Sequence, residues 1–391
     1  MTLARSVRWS HLILILPLIL VATALALADG AQPNRYSVSA TAQAWISAVL
    51  SAPLLSAWAA WESGRLRAWV RGHAAGGERL RALVPTVLRP LGAAALITAA
   101  MIAVANPDLG SAGAVAWNVL GAMTLVTAVV AGAVAGIVLP RYAATPVALI
   151  GWYAWLAFPL VLIEPWWRAS TITGGGAMCC LPQEQLATRT LVTTLLVAGI
   201  LLVGSLVTLA RHRHLAATAL AVLVVAGSTA FVLGRGGSET ATEPRQSELV
   251  CRSGEGVDVC VWPENEDDLS AIVSSTASVT TDLGALGSRL PTSWSENPDA
   301  AGVTFSWSPD TTPEEQRGAL ALSVVQHLGC DSAGGSDVRS FVLLQSGLSQ
   351  QEIDERFGPV SEQAARASSL GAPAQRAWIQ QAVAECDGSS A

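Results

Sequence analysis

The sequence predicts an α-helical polytopic membrane domain of about seven transmembrane helices, followed by a small α+β extracytoplasmic domain. Three observations carry this prediction. The 391 residues are 51% hydrophobic and only 13% charged, against about a quarter charged in an ordinary soluble domain. Charge is also unequally divided. Residues 1–234 hold 14 Arg and 6 acidic residues, a balance of +8, whereas residues 235–391 hold 9 Arg and 23 acidic residues, a balance of −14. Finally, seven apolar runs, all in the first part, come close to the roughly 20 residues needed to cross about 30 Å of hydrocarbon.

The runs fall at 11–28, 42–61, 85–105, 112–139, 146–163, 190–210 and 215–233. Arg5 and Arg8 precede the first, and Ala26, Leu27 and Ala28 behind it also suit a cleavable signal peptide. The run exceeds the usual stretch of about 7 to 15 residues, which favours a retained span. Asn106, Pro107, Asp108 and Gly110 supply turn chemistry before the fourth run. That run is long enough to tilt. Its Gly132 and Gly136 form a GxxxG pair, either a close helix contact or a chance product of a Gly- and Ala-rich helix. Only Arg211, His212, Arg213 and His214 separate the last two runs, so a tight antiparallel hairpin is expected there. Pro17, Pro53, Pro90 and Pro159 read as tolerated packing kinks. Arg89 sits near a span end and can snorkel, and Glu164 closes the fifth run. No ionisable residue falls mid-span, which argues against a proton-driven transporter or an ion pump.

Short cytoplasmic loops are enriched in Arg and Lys. Arg5 and Arg8, then Arg65, Arg67, Arg71, Arg79 and Arg81, then Arg141, then Arg211 and Arg213 all fall on one side of the layout; Arg35, Arg168 and Arg189 fall on the other. The expectation is therefore a multi-pass protein of the cell membrane, its N-terminus cytoplasmic and its C-terminal domain outside. Trp58 and Trp61, with Trp166 and Trp167, fit the two aromatic belts. All 23 basic residues are arginine. Without lysine the chain lacks the phosphate-binding Lys of P-loop enzymes and kinases and the amine of Schiff-base enzymes. Any P-loop ATP chemistry must come from a different polypeptide.

The longest cytoplasmic segment runs from Trp61 to Pro85, with Leu66, Trp69 and Val70 interleaved among its arginines. That pattern suits a short basic helix on a surface, broken at Gly76 and Gly77; the lone His73 reads as surface. Two readings stay open. One is positive charge lying against anionic lipid. The other is a docking segment for a soluble ATPase subunit, formed by Glu62, Arg65, Arg67 and Arg71. With the multi-span layout and the uncharged Gly/Ala/Leu/Val spans, this Arg-rich segment resembles the permease subunits of ABC-2-type transporters from high-GC actinobacteria. The resemblance covers mainly residues 1–234, rests on layout and carries over no functional residue. It implies a permease subunit energised by a separate ATPase. Six spans are usual in that family, and a seventh here puts the C-terminus outside.

Residues 235–247, rich in Gly, Ser, Thr and Glu, read as a linker to an extracytoplasmic disulfide-containing domain over 248–391. Glu248–Arg252 and Val257–Trp262 flank Ser253, Gly254, Glu255 and Gly256, a hairpin signal that sets Cys251 and Cys260 close to opposite one another. Cys330 and Cys386 lie at the ends of predicted helices. Four cysteines in an oxidising compartment favour two disulfides; of three possible pairings, Cys251 with Cys260 and Cys330 with Cys386 is expected. Cys179 and Cys180, in the outer loop between the fifth and sixth runs, are expected as structural staples, with redox sensing as the alternative. Thr312, Pro313 and Glu315 open a helix that runs to about Leu328, and Ser349 and Glu352 repeat the device. Helices are also expected over 267–290 and 374–386, and a strand over Val303–Trp307.

Catalytic signals are missing from this domain. Its one histidine, His327, is followed by Leu328 and Gly329 rather than by an HExxH pattern, and no GxSxG occurs. Glu264, Glu266, Asp267 and Asp268 lack the ligand ladder of a calcium loop. No enzymatic activity, cofactor, metal or nucleic-acid partner is expected; homo- and hetero-oligomers both stay open. The leading functional expectation is a permease-like subunit of an ABC transport system. The alternative is a non-transporting membrane-anchored sensor or assembly protein that binds an envelope partner through its outer domain.

Overall fold

A computed structural model describes residues 36–72, 76–105, 111–161, 171–172, 182–210, 215–234, 242–246, 248–308, 311–330 and 335–389. The expected first span with Arg5 and Arg8, the turn at 106–110, His73, Glu164, Cys179, Cys180 and the 211–214 connection lie outside the described residues. The chain divides into two compact units, Met1–Arg245 and Gln246–Ala391.

In the first unit α1 (Ser37–Trp45) and α2 (Ala48–Gly64) are two limbs of one apolar segment, bent by 42° at Ile46 and Ser47. The short α3 (Arg67–Gly72) follows, then α4 (Gly76–Ala105), α5 (Ala112–Val138), α6 (Arg141–Val161), α7 (Thr188–Ala210) and α8 (Leu215–Gly234). Among the described residues three helices are long and apolar enough to cross a membrane, at Val84–Ala103, Ala112–Val138 and Thr188–Leu209. The bent pair makes a fourth if its two limbs are one span. The expected count of seven is not supported. At the place of the fifth expected span lies α6, which carries Pro146 and Pro159. In α8, the apolar helix counted is the short stretch Leu220–Leu233.

Small residues on α5 set how closely the preceding limbs approach. Trp45 lies over Gly121, where an added Cβ would stand 2.1 Å from the indole. Further along, a Cβ at Gly132 would fall 2.2 Å from the Ser56 carbonyl oxygen, and one at Gly136 would fall 2.2 Å from Ser63 Oγ. The GxxxG pair is therefore a contact surface for α2. Trp45 Nε1–H donates to Asn118 Oδ1 at 3.0 Å, so two polar groups inside this apolar packing satisfy each other.

Hydrogen bonds mark two opposite ends of α1–α2 and α5. At one end the Ser37 and Ser111 hydroxyl oxygens are 2.7 Å apart, and Ser111 caps α5 by accepting from the Ala114 N–H. There the Tyr36 hydroxyl donates to the Glu184 carbonyl at 2.8 Å, and β1 (Glu184–Leu186) pairs antiparallel with β2 (Thr242–Pro244). Arg245 completes this clamp: its N–H donates to the Gln183 carbonyl at 2.8 Å, and its guanidinium lies 4.5 Å from the Tyr36 ring centroid. Residues 242–245, expected as linker, are thus tied to the segment before α7. Composition marks flexible chain but is blind to a strand partner so distant in sequence.

In the second unit β3 (Val250–Gly254) and β4 (Val257–Val261) form an antiparallel hairpin. β4 then pairs in parallel with β5 (Ser293–Ser295), and β5 with β6 (Val303–Thr304). The two-residue period of a strand buries Val257, Val259 and Val261 and turns Cys260 to the other face. Around the sheet lie α9 (Leu269–Asp282), α10 (Pro313–His327), α11 (Ser336–Gln345), α12 (Gln350–Arg356), α13 (Glu362–Ser368) and α14 (Ala372–Ser389). Ile272, Trp294, Val324, Phe341 and Ile379 fill the core between them. Both expected capping boxes are formed, Thr312 with Glu315 and Ser349 with Glu352. The helix expected over 267–290 is α9 plus a 3₁₀ segment, Gly284–Arg289, in which Gly287 adopts φ 59°. The expected strand over 303–307 is paired only at Val303–Thr304.

Candidate functional site

The site is built where α2 and α5 end and α6 begins. α2 runs out at Gly64. α5 stops because Leu139 precedes Pro140 and takes extended backbone, φ −95° and ψ 158°. Pro140 then opens α6, its carbonyl accepting from the N–H groups of Ala143 and Ala144 at 2.9 and 2.8 Å. These stops gather Trp61, Glu62, Arg65, Arg67 and Arg141.

Glu62 and Arg65, one turn apart, form an ion pair at 3.6 Å. Arg67 opens α3 and donates from Nη2 to the Val138 carbonyl at 3.3 Å, placing positive charge at the C-terminal end of α5, where the helix dipole favours it. The Arg141 guanidinium carbon stands 3.4 Å from the Trp61 ring centroid, a stacked cation–π contact. Its side-chain stem passes Gly64, where an added Cβ would stand 3.1 Å from it. Tyr142 meets Trp61 edge-on with centroids 6.1 Å apart. Trp69 on α3 is exposed. Of these guanidinium groups, Arg65 pairs with the Glu62 carboxylate, Arg67 with a helix-end carbonyl and Arg141 with an indole ring. The Nε–H groups of Arg67 and Arg141 are buried and have no acceptor among the described residues.

Of the four residues expected to form a docking segment, the structure brings Glu62, Arg65 and Arg67 together and sets Arg71 within α3. Trp61 and Arg141 complete the site and are missed by sequence reasoning. They sit on helices distant in sequence, and their shared place on the arginine-rich side of the layout is the only signal that joins them.

In the second unit Cys251 and Cys260 are disulfide-bonded across β3 and β4, their Cα atoms 4.1 Å apart. Cys330, just past α10, is bonded to Cys386 in α14, with Cα atoms 5.3 Å apart. A further polar centre is Glu296, only 4% exposed. Its Oε2 accepts from the Trp262 N–H at 2.7 Å, and its Oε1 accepts from Asn265 Nδ2 at 2.8 Å and the Trp307 N–H at 3.3 Å. Burial pushes the Glu296 carboxyl pKa up; the three hydrogen bonds oppose this, and the neighbouring Glu264 charge adds to it. Glu296 joins the end of β4 to the segment after β6, which is a structural role. It was hidden in the sequence as one acid among many. Among the described residues no group of three or more His, Cys, Asp or Glu is placed to hold a metal ion; Glu264, Glu266, Asp267 and Asp268 form the 3₁₀ turn Pro263–Asp268.

Residues 259–387 match the family model of a domain of unknown function (DUF7224). The matched stretch begins within β4 and ends within α14, so it contains Cys260, Cys330 and Cys386, while Cys251 precedes it. No curated protein and no solved structure matches the chain.

Proposed function

We propose that the protein is an integral membrane, permease-like subunit of an ABC transport system, energised by a separate ATPase subunit. The observation that carries this reading is the arginine and tryptophan face at one end of the helical unit, formed by Glu62, Arg65 and Arg67 with α3, in which Arg65 and Trp69 are exposed. This face suits a docking partner that supplies the ATP chemistry a lysine-free chain lacks. The lipid-like surface of the helices supports the membrane setting: Leu96, Ile150, Val203 and Val232 are all exposed. Sidedness follows in the same reading. The positive face is cytoplasmic. The clamp at Tyr36 and Arg245 marks the opposite end of α1–α2, so the chain leaves for the second unit on the outer side. Two disulfides fit a non-reducing compartment there. The family match covers only the second unit and names no activity.

The test is purification of the full chain in mild detergent. An ATP-binding chain is expected to accompany it, and Arg65→Glu is expected to reduce that partner about tenfold, ~1.4 kcal/mol of docking energy, with the membrane fold unchanged. Absence of any ATP-binding partner overturns the reading. A second reading, a non-transporting sensor or assembly protein, is favoured by one observation. α2 and α5 pack closely where Gly132 meets Ser56 and Gly136 meets Ala60 and Ser63. It predicts instead an envelope protein bound to the second unit.

A further inference from the structure

We propose that the arginine-rich face and the cavity beside it bind one anionic phospholipid, an acyl chain lying between the helices and the phosphate resting on Arg67 and Arg141. This rests on the membrane setting of the helical unit and not on the ATPase. A cavity of about 480 Å³ opens among α5, α6, α7 and α8. Its walls are mainly apolar, with Val134, Val138, Leu201 and Leu223 beside Trp152 and Trp155, and with Ser56, Ser205 and Thr208 as the polar groups. From α5 the lining comes from Ala131 to Val138 with Leu139 after it, the end at the site, and from α6 it comes from Val147 to Trp155. Val138 joins the two features, since it lines the cavity and its carbonyl accepts from Arg67.

Size and access select the occupant. Val147, Leu220 and Leu223 border the cavity and are 53%, 63% and 61% exposed, so it opens sideways onto the surface that faces hydrocarbon. A spanning helix about 10 Å across and 30 Å long fills roughly 2,400 Å³, far more than the cavity offers. The space suits a slender alkyl chain rather than a helix. Polar groups stand where a phospholipid has them. Ser56 lines the cavity, is fully buried, and its hydroxyl has no partner among the described residues; it suits an ester carbonyl. The Nε–H groups of Arg67 and Arg141, buried and without an acceptor among the described residues, suit phosphate oxygens.

The experiment is native mass spectrometry of the full chain released from nanodiscs of equal phosphatidylglycerol and phosphatidylcholine. One phosphatidylglycerol retained per chain is expected. Gly151 and Gly227 border the cavity, and a Cβ on either meets nothing within 4 Å. Gly151→Leu and Gly227→Leu therefore enter the space from an unobstructed Cβ and favour the helix; each is expected to lower lipid retention about tenfold, with thermal stability equal to or above that of the parent. Arg141→Gln is expected to remove the preference for phosphatidylglycerol while leaving the cavity open. A parent chain that retains no lipid, retention unchanged in both leucine variants, or equal retention of the two lipids by the parent overturns the proposal.

Discussion

Glu296 is a carboxylate that burial disfavours and three donors hold. Glu296→Ala leaves two backbone N–H groups and the Asn265 amide without their acceptor, at a cost of about 3 kcal/mol. Loss of amide-exchange protection at Trp262 and Trp307 is the measurement. Because the native pKa is raised, the folded state keeps its proton longer than the unfolded chain. The Glu296 contribution to stability therefore falls as pH rises from the ordinary glutamate range through the raised native value. Glu315 and Glu352 have the opposite sign. The Thr312 N–H bond, with Arg356 nearby, holds the first below its usual range, and the Ser349 hydroxyl and N–H hold the second. Their contribution is present above the unfolded pKa and is lost as pH falls through the native one. Denaturation of the full chain across acidic pH is expected to show Glu296→Gln and Glu315→Gln changing the slope in opposite directions.

At the level of elements, helix contact and cross-links dominate. Gly136→Ala forces a Cβ within 2.2 Å of Ser63 Oγ and 2.3 Å of the Ala60 carbonyl oxygen. It is expected to cost about 1–3 kcal/mol and to lower the melting temperature in detergent. Gly92→Ala, on α4, meets nothing within 4 Å and is expected to gain up to about 1 kcal/mol. Of the two disulfides, Cys330–Cys386 spans 56 residues and Cys251–Cys260 spans 9. Loop-closure entropy makes the first worth about 4 kcal/mol and the second about 2.6, so the Cys330→Ser/Cys386→Ser pair is expected to unfold in less denaturant than Cys251→Ser/Cys260→Ser. Elements with local signals were legible in the sequence: the Thr312 and Ser349 caps, the hairpin at Ser253–Gly256, and with it the Cys251–Cys260 pairing. The parallel pairing of β5 and β6, the bend at Ile46 and Ser47, and the strand at Thr242–Pro244 were not. Each depends on partners or packing outside the window in which a sequence pattern is read.

Across the whole molecule, the division into a basic apolar part and an acidic polar part was legible from charge alone, because composition averages over many residues. Seven spans were not: among the described residues three helices are long and apolar enough to cross a membrane, with the bent pair as a fourth if it is one span. Nor was the site in full: Arg141 reaches Trp61 only after two helices have packed. The proposed reading is of a two-sided molecule, its arginine-rich face cytoplasmic and its disulfide-braced unit outside. Single cysteines at exposed Trp69 and Leu370, labelled in intact cells with a membrane-impermeant maleimide, test it most directly. The account predicts that Leu370→Cys labels in intact cells and Trp69→Cys labels only after the membrane is opened; labelling of both from the same side would contradict it.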